Sequence, residues 1–240
     1  HLLEAGYAAF GQEGRWPSND IACIHEMLIL DVAAGVKMLK DRGFQQVVFV
    51  GNSGGGSLYS FYQSQAVTIP PGRLTHTPAG DSYDLNRFQL PPADGMVFLA
   101  AHLGEGKFLE KAVDPSVTNE DDPLSCDPAL DMYNPANGFR EPPGPTTYSQ
   151  EFIQQYRAAQ IARVARIDAI ARRYIEEQRY FQELVRQPEF DRLSFERRIF
   201  LSRRGLVGRY MEIHRTEANL TYTEPSLSPS LRDYGSLWSP

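Results

Sequence analysis

The first part of the chain alternates between two hydrophobic patterns, one typical of a helix and one typical of a buried strand. From about residue 21 to about residue 42, apolar side chains recur at steps of three and four residues, which predicts an amphipathic helix. Residues 46–51 centre on a Val-Val-Phe-Val run, which predicts a short strand covered on both faces of a parallel sheet. Helical spacing returns between residues 58 and 66. This order of helix, strand and helix is typical of an α/β protein.

After residue 66 the sequence predicts a segment outside the sheet, one further strand and then a long connection. Residues 67–93 are rich in proline, glycine and aspartate, which predicts an excursion. Residues 95–101 are apolar and predict the next buried strand. Residues 114–146 are acidic and dense in proline, which predicts a long irregular connection of the kind that borders functional sites.

Helical spacing dominates the last part of the chain. It extends from residue 147 to about residue 214, with a break at Pro188. Residues 216–240 show little periodicity. Because the pattern changes near residue 147, we predict a core in residues 1–146, followed by a helical block and an irregular return segment in residues 147–240.

Composition and charge exclude several classes of protein. The 240 residues carry a formal net charge of -6, which argues against a nucleic-acid partner. The arginines of the helical block alternate with acidic residues, which indicates ion-paired helix faces. No run approaches the roughly 18 consecutive apolar residues of a membrane span. Cys23 and Cys126 are too few for a disulfide framework, and this usage favours the cytoplasm.

One short motif carries chemistry. Residues 51–55, Gly-Asn-Ser-Gly-Gly, fit the pattern G-x-S-x-G and lie between a predicted strand and a predicted helix. In such a turn the serine takes a strained backbone conformation, so the positions two before and two after it must be small; these are Gly51 and Gly55. The turn presents the Ser53 hydroxyl above the carboxyl end of the strand, and the N–H of Gly54 faces a developing oxyanion.

Residues 51–55 allow two other interpretations. A phosphate-binding loop needs G-x-x-x-x-G-K-[ST], and no lysine lies between residues 41 and 106. A purely structural glycine turn is the second alternative. An acidic run near residues 120–131 lacks the spacing and the glycine of an EF-hand, so we interpret it as a solvated loop and expect neither a metal nor a cofactor.

Residues 43–62 resemble the central nucleophile turn of the α/β-hydrolase superfamily, among its esterase and lipase-like members. The resemblance implies a partial α/β-hydrolase core, a mostly parallel sheet flanked by helices, with a helical cap insertion at about 147–214. It implies that Ser53 is the nucleophile. Asn52 stands where lipases and esterases often have histidine, so the subfamily is left open.

A serine nucleophile requires a base, which is itself oriented by an acid. In this superfamily the chain order is serine, then an acid, then histidine. The candidate bases are His214 and His102, and the candidate acids are Asp127 and Asp131, although a structural role suits each of them better. The resemblance therefore implies that the acid and base lie outside this sequence, in missing segments or a second chain that completes the core. For residues 1–240 alone we expect no hydrolysis.

The resulting hypothesis is a serine hydrolase that cleaves a carboxylic ester or related acyl bond through an acyl-enzyme on Ser53. Aromatic residues in the predicted cap favour a hydrophobic small-molecule substrate. Two alternatives stay open at this point. One is a binding or scaffold protein on a hydrolase fold without a triad, and the other is an acyltransferase that uses the same serine.

Overall fold

The computed structural model describes residues 2–17, 23–141, 146–206 and 213–216. The fold is mixed α/β, with a two-stranded parallel sheet and a two-stranded antiparallel sheet in the described residues. The chain divides into two compact units, residues 1–105 and residues 106–240. The division therefore comes earlier than the boundary predicted at residue 146.

A strand–helix–strand element forms the centre of the first unit. Helix α1 (His25–Asp41) precedes strand β1 (Val48–Asn52), helix α2 (Gly54–Val67) and strand β2 (Gly95–Leu99). The two strands are parallel, and Asn52 is paired with Leu99 at their carboxyl ends. The predicted helices, the predicted strands and their parallel pairing are thus confirmed.

The helices of the first unit enclose one hydrophobic core. Helix α1 buries Ile29, Ala33 and Val36, which are spaced by four and three residues and so lie on one face of the helix. Phe49 of β1 stacks on Tyr59 of α2. The remaining buried members of this core are Val47, Tyr62, Ala66, Leu85, Leu90 and Ala93.

The predictions that β1 is covered on both faces and that β2 is buried are wrong for the described residues. In β1, buried and exposed residues alternate, and Val48 and Val50 are about half exposed (53% and 47%). In β2, Phe98 and Leu99 are exposed. A continuously apolar strand normally has both faces buried, whereas here α1 and α2 cover the face that carries Phe49.

The second unit contains more β-structure than the sequence predicts. Helix α3 (Glu105–Ala112) begins at the boundary between the units and is followed by strands β3 (Val117–Asn119) and β4 (Asp122–Cys126), which form an antiparallel hairpin. The prediction of a wholly irregular segment over residues 114–146 is therefore wrong. The hairpin escaped detection because its strands are short and mostly polar, without an alternating apolar pattern.

The predicted helical block is confirmed as two helices. Helix α4 (Gln150–Arg186) begins at Ser149, whose hydroxyl accepts a hydrogen bond from the Phe152 N–H as an N-cap. A single 3₁₀ turn starts at Pro188, and helix α5 (Phe195–Leu206) follows.

A buried ion-pair cluster attaches α4 to the residues before it. The Arg163 side chain is fully buried, and its guanidinium donates to the Glu120 carboxylate and to the Asp114 carbonyl. Arg166 donates to the same carboxylate. Gln160 donates to the carbonyls of Lys111 and Val113. These bonds explain why residues 106–141 belong to the same unit as α4.

Candidate active site

Ser53 occupies the sharp turn between β1 and α2 in a backbone conformation that non-glycine residues rarely adopt. Its φ is 51° and its ψ is −122°. Such a conformation costs about 1–3 kcal/mol and persists only where the surrounding structure imposes it. The residue is exposed, and within the described part of the chain its hydroxyl forms no hydrogen bond. The strained, open turn predicted from the motif is therefore present.

Backbone hydrogen bonds hold this turn in place. The Ser53 N–H donates to the Leu99 carbonyl at 3.0 Å, and the Gly56 N–H donates to the Ser53 carbonyl at 3.1 Å. Asn52, the last residue of β1, is exposed. A Cβ at Gly51 would lie 2.7 Å from both the N and Cα atoms of Gly56, a distance that backbone atoms do not tolerate. Gly51 is thus required for the close approach of strand and helix.

The second position of the turn that requires glycine is Gly56 and not the predicted Gly55. A Cβ at Gly55 would meet nothing within 4 Å, so the predicted steric need for glycine at this position is wrong. The need falls instead on Gly56, where a Cβ would collide with the Cβ of Ala101 and lie 3.2 Å from the Phe98 ring. The third glycine of the run is the one that the end of β2 contacts.

A second strained residue lies directly across from Ser53. Because Asn52 pairs with Leu99, the next residues, Ser53 and Ala100, leave the sheet side by side. Ala100 also has a positive φ, 46°. Two non-glycine residues are thus held in costly conformations at the carboxyl edge of one sheet, where open α/β sheets bind ligands.

The turn after β2 brings His102 to the serine turn. A Cβ built on Gly54 would lie 3.4 Å from His102 Nε2 and 3.7 Å from Glu105 Oε1. The Gly104 N–H donates to His102 Nδ1 at 3.1 Å. The histidine side chain is 25% exposed, and its Nε2 lies 3.6 Å from Glu105 Oε1. Of the sequence-predicted partners of Ser53, His102 therefore lies beside Gly54, the residue that follows the serine.

The other candidate residues lie in the second unit, where each has a local structural contact. Asp127 Oδ1 accepts from the Ala129 N–H at 2.9 Å, and Asp131 Oδ1 accepts from the Tyr133 N–H at 3.0 Å. These bonds are Asx turns, a common use of aspartate in loops. The His214 carbonyl accepts from the Arg163 guanidinium at 2.8 Å.

Three residues of this site were not predicted. Ala100 gives no signal in the sequence, because alanine is not a residue that marks a positive φ. Glu105 lies three residues after His102, a spacing that places two side chains together only if a helix begins there. Gly56 is signalled by the run of three glycines, but sequence alone does not show which of them meets β2.

Residues 2–17, 23–141, 146–206 and 213–216 contain no group of three or more His, Cys, Asp or Glu side chains placed to hold a metal ion. Among the helices described, none is long and apolar enough to cross a bilayer.

No protein-family model, curated protein or solved structure matches this chain.

Proposed function

We propose that this protein is a serine hydrolase of carboxylic esters or related acyl compounds, built on a partial α/β-hydrolase core, with Ser53 as the nucleophile. One observation supports the proposal above all others. Ser53 is an exposed serine at φ 51° and ψ −122°, between a parallel strand and the helix that follows it. A structural turn at this place gains nothing from serine, because glycine adopts such a conformation without strain.

The proposed reaction is acyl transfer to serine and then to water. Ser53 Oγ attacks the acyl carbon, the Oγ–C bond forms, and the bond to the alcohol oxygen breaks. The alcohol leaves with the electron pair and receives the serine proton through a base. Water then attacks the acyl-enzyme, and the carboxylic acid and the free serine are released. The Gly54 N–H donates to the oxyanion in both steps.

The base and acid are proposed to come from elements that complete the core, in a longer form of the chain or in a second chain. This part of the proposal is supported by the absence of any hydrogen bond to Ser53 Oγ within the described residues. The substrate is proposed to be a hydrophobic small molecule.

A fluorophosphonate probe tests the nucleophile directly. In this reaction the Oγ–P bond forms and the P–F bond breaks; fluoride leaves with the electron pair, and the hydroxyl proton passes to a base or to solvent. We expect intact-mass and peptide analysis to find the probe on Ser53. Ser53→Ala is expected to abolish labelling. The matched control is Ser60→Ala, which alters an exposed serine of the same helix; labelling is expected to be unchanged.

The two remaining alternatives give different results. A full-length protein that stays unlabelled while folded, with the elements that complete the core present, would contradict the hydrolase and favour a binding protein. If protein that has not been treated with the probe turns over an activated ester faster when an alcohol or thiol is added, and the acyl group appears on that acceptor, the acyltransferase is favoured.

A further inference from the structure

The hydrogen bond to its Nδ1 atom fixes what the His102 ring can do beside Ser53. Gly104, at φ 104°, turns the chain so that its N–H donates to Nδ1 at 3.1 Å. A ring nitrogen that accepts a hydrogen bond carries no proton, so the neutral imidazole carries its proton on Nε2. In this arrangement Nε2 is a donor and has no lone pair to accept a proton.

The proton-bearing edge of the ring is the edge that faces the serine turn. A Cβ on Gly54 would lie 3.4 Å from Nε2 and 3.8 Å from Cε1, so these two atoms approach the residue that follows the nucleophile. The side chain is three-quarters buried, which limits competition from water. A base for Ser53 would need the opposite arrangement, with an unprotonated nitrogen on this edge.

We propose that His102 Nε2–H is a second oxyanion donor, acting together with the Gly54 N–H, an inference that rests on the proposed function of Ser53. An oxyanion site commonly uses two or more fixed donors, and the loss of one slows the reaction about 10²–10³-fold. The end of β2 supplies one from within the first unit.

Glu105 opposes this donor in the resting state. Its Oε1 lies 3.6 Å from His102 Nε2, which is too long for a hydrogen bond but close for a charge. The same oxygen would lie 3.7 Å from a Cβ on Gly54. A carboxylate at this distance disfavours the negative charge of the developing oxyanion. Because Glu105 is 64% exposed, solvent screens part of this repulsion.

The test measures the rate of fluorophosphonate labelling at Ser53 in the full chain, since the phosphoryl oxygen then develops the charge that the donors stabilise. His102→Leu removes the donor, whereas His102→Gln keeps an N–H but cannot accept a proton. We expect His102→Leu to slow labelling about 10²-fold or more and His102→Gln to stay within about tenfold of wild type. Glu105→Gln is expected to raise the rate a few-fold. His76→Leu, at an exposed histidine of the same unit, is the control for removing a ring and is expected to change nothing.

Each other outcome decides against the proposal. Equal rates for wild type and a folded His102→Leu would show that the ring contributes no donor. Loss of labelling in both His102 variants, with circular dichroism unchanged, would assign proton transfer to the ring instead. If His102→Leu does not fold, a His102→Gln rate reduced 10²-fold or more is enough to overturn the proposal. A wild-type chain without labelling at Ser53 removes both the proposed function and this inference, whereas a labelled wild type with an insensitive His102 removes the inference alone.

Discussion

At the scale of single residues, the chain holds Ser53 in a conformation that stores conformational energy. The strain costs about 1–3 kcal/mol, while a glycine in the same place would cost about 0.5–1 kcal/mol in chain entropy. We therefore expect Ser53→Gly to raise the free energy of unfolding by about 1 kcal/mol and to abolish probe labelling. Urea denaturation measures the first effect.

The control for this prediction is a serine-to-glycine change inside α2, the helix that follows Ser53. Ser60 has ordinary helical geometry and is exposed, so Ser60→Gly is expected to lower the free energy of unfolding by about 1 kcal/mol. If Ser53→Gly were as destabilising as Ser60→Gly, the strain at Ser53 would not exist.

The glycines around Ser53 give a second residue-scale prediction. A Cβ at Gly51 meets backbone atoms of Gly56 at 2.7 Å, whereas a Cβ at Gly55 meets open space. We expect Gly51→Ala to destabilise the protein by about 3 kcal/mol or more, and Gly55→Ala to be neutral or to stabilise it by up to about 1 kcal/mol. Thermal unfolding of the two variants checks this. Similar melting temperatures for both would contradict the close approach of β1 and α2.

At this scale the strained turn at Ser53 was predictable from the sequence, but its surroundings were not. The five-residue motif locates Ser53 because its steric requirements are local. The orientation of His102 depends on a hydrogen bond from Gly104, two residues later, and on the turn at Ala100. No pattern of residue types encodes which nitrogen of a histidine accepts that bond.

At the scale of helices and strands, the Glu120 cluster connects α4 to the hairpin that precedes it and makes stability depend on pH. Burial raises the pKa of Glu120, but the hydrogen bonds from Arg163 and Arg166 outweigh burial and hold the pKa below its ordinary value of 4.5. The carboxylate therefore stabilises the folded unit fully above pH 4.5. This contribution is lost as the pH falls through the lowered pKa of the folded state.

Glu120→Gln tests this linkage. We expect it to lower the free energy of unfolding by about 3 kcal/mol at pH 7, because it leaves two arginines without a charged partner. The difference between wild type and variant should shrink as the pH falls below 4.5. Burial raises the pKa of Asp114, so this residue makes the folded state more stable as the pH falls. Asp114 is present in both proteins, so its contribution cancels from the difference in the free energy of unfolding.

Glu189→Gln is the control for the Glu120 variant. Glu189 is an exposed glutamate of the same unit, so its replacement should leave the free energy of unfolding within about 0.5 kcal/mol at every pH. A Glu120→Gln effect that stays constant from pH 7 to pH 3 would contradict the linkage.

Elements with strong periodicity were the predictable ones. Helices α1 and α4 show a helical apolar period, and the Val-Val-Phe-Val run of β1 gives a strand. Parallel pairing of β1 with β2 followed from the helix between them. The hairpin β3–β4 was missed because its fixed geometry comes from Asn119 and Ser125 hydrogen bonds, not from an apolar face.

At the scale of the whole molecule, the two units have separate hydrophobic clusters. The first is centred on α1, β1 and α2, and the second contains Met132, Tyr148, Phe152 and Tyr156. The sequence pattern placed residues 106–141 with the first part because the long helical pattern begins only near residue 147. Their attachment to α4 depends on polar contacts of Gln160 and Arg163, which a hydrophobic pattern does not register.

Amide hydrogen exchange tests the separation of the two clusters. Met132→Ala creates a cavity in the second cluster and is expected to lower protection around Tyr156 by about 2–5 kcal/mol, leaving β1 unchanged. Val36→Ala in the first cluster should lower protection in β1 and leave the residues around Tyr156 unchanged. If either substitution lowers protection in both units equally, the two clusters unfold as one.

The register of β2 against β1 also determines which changes in chain length the protein tolerates. Two hydrogen bonds between Asp94 and Val47 fix the start of β2. The Asp94 N–H donates to the Val47 carbonyl, and the Val47 N–H donates to the Asp94 carboxylate, both at 2.8 Å. An inserted or deleted residue between Asp94 and His102 would shift the imidazole away from Gly54 while most of the sheet still formed. An inserted or deleted residue between residues 76 and 82 lies before Asp94, so the excursion would accommodate it without a change in the register of β2. Variants of different chain length therefore distinguish a protein that only folds from one in which His102 still lies beside Gly54.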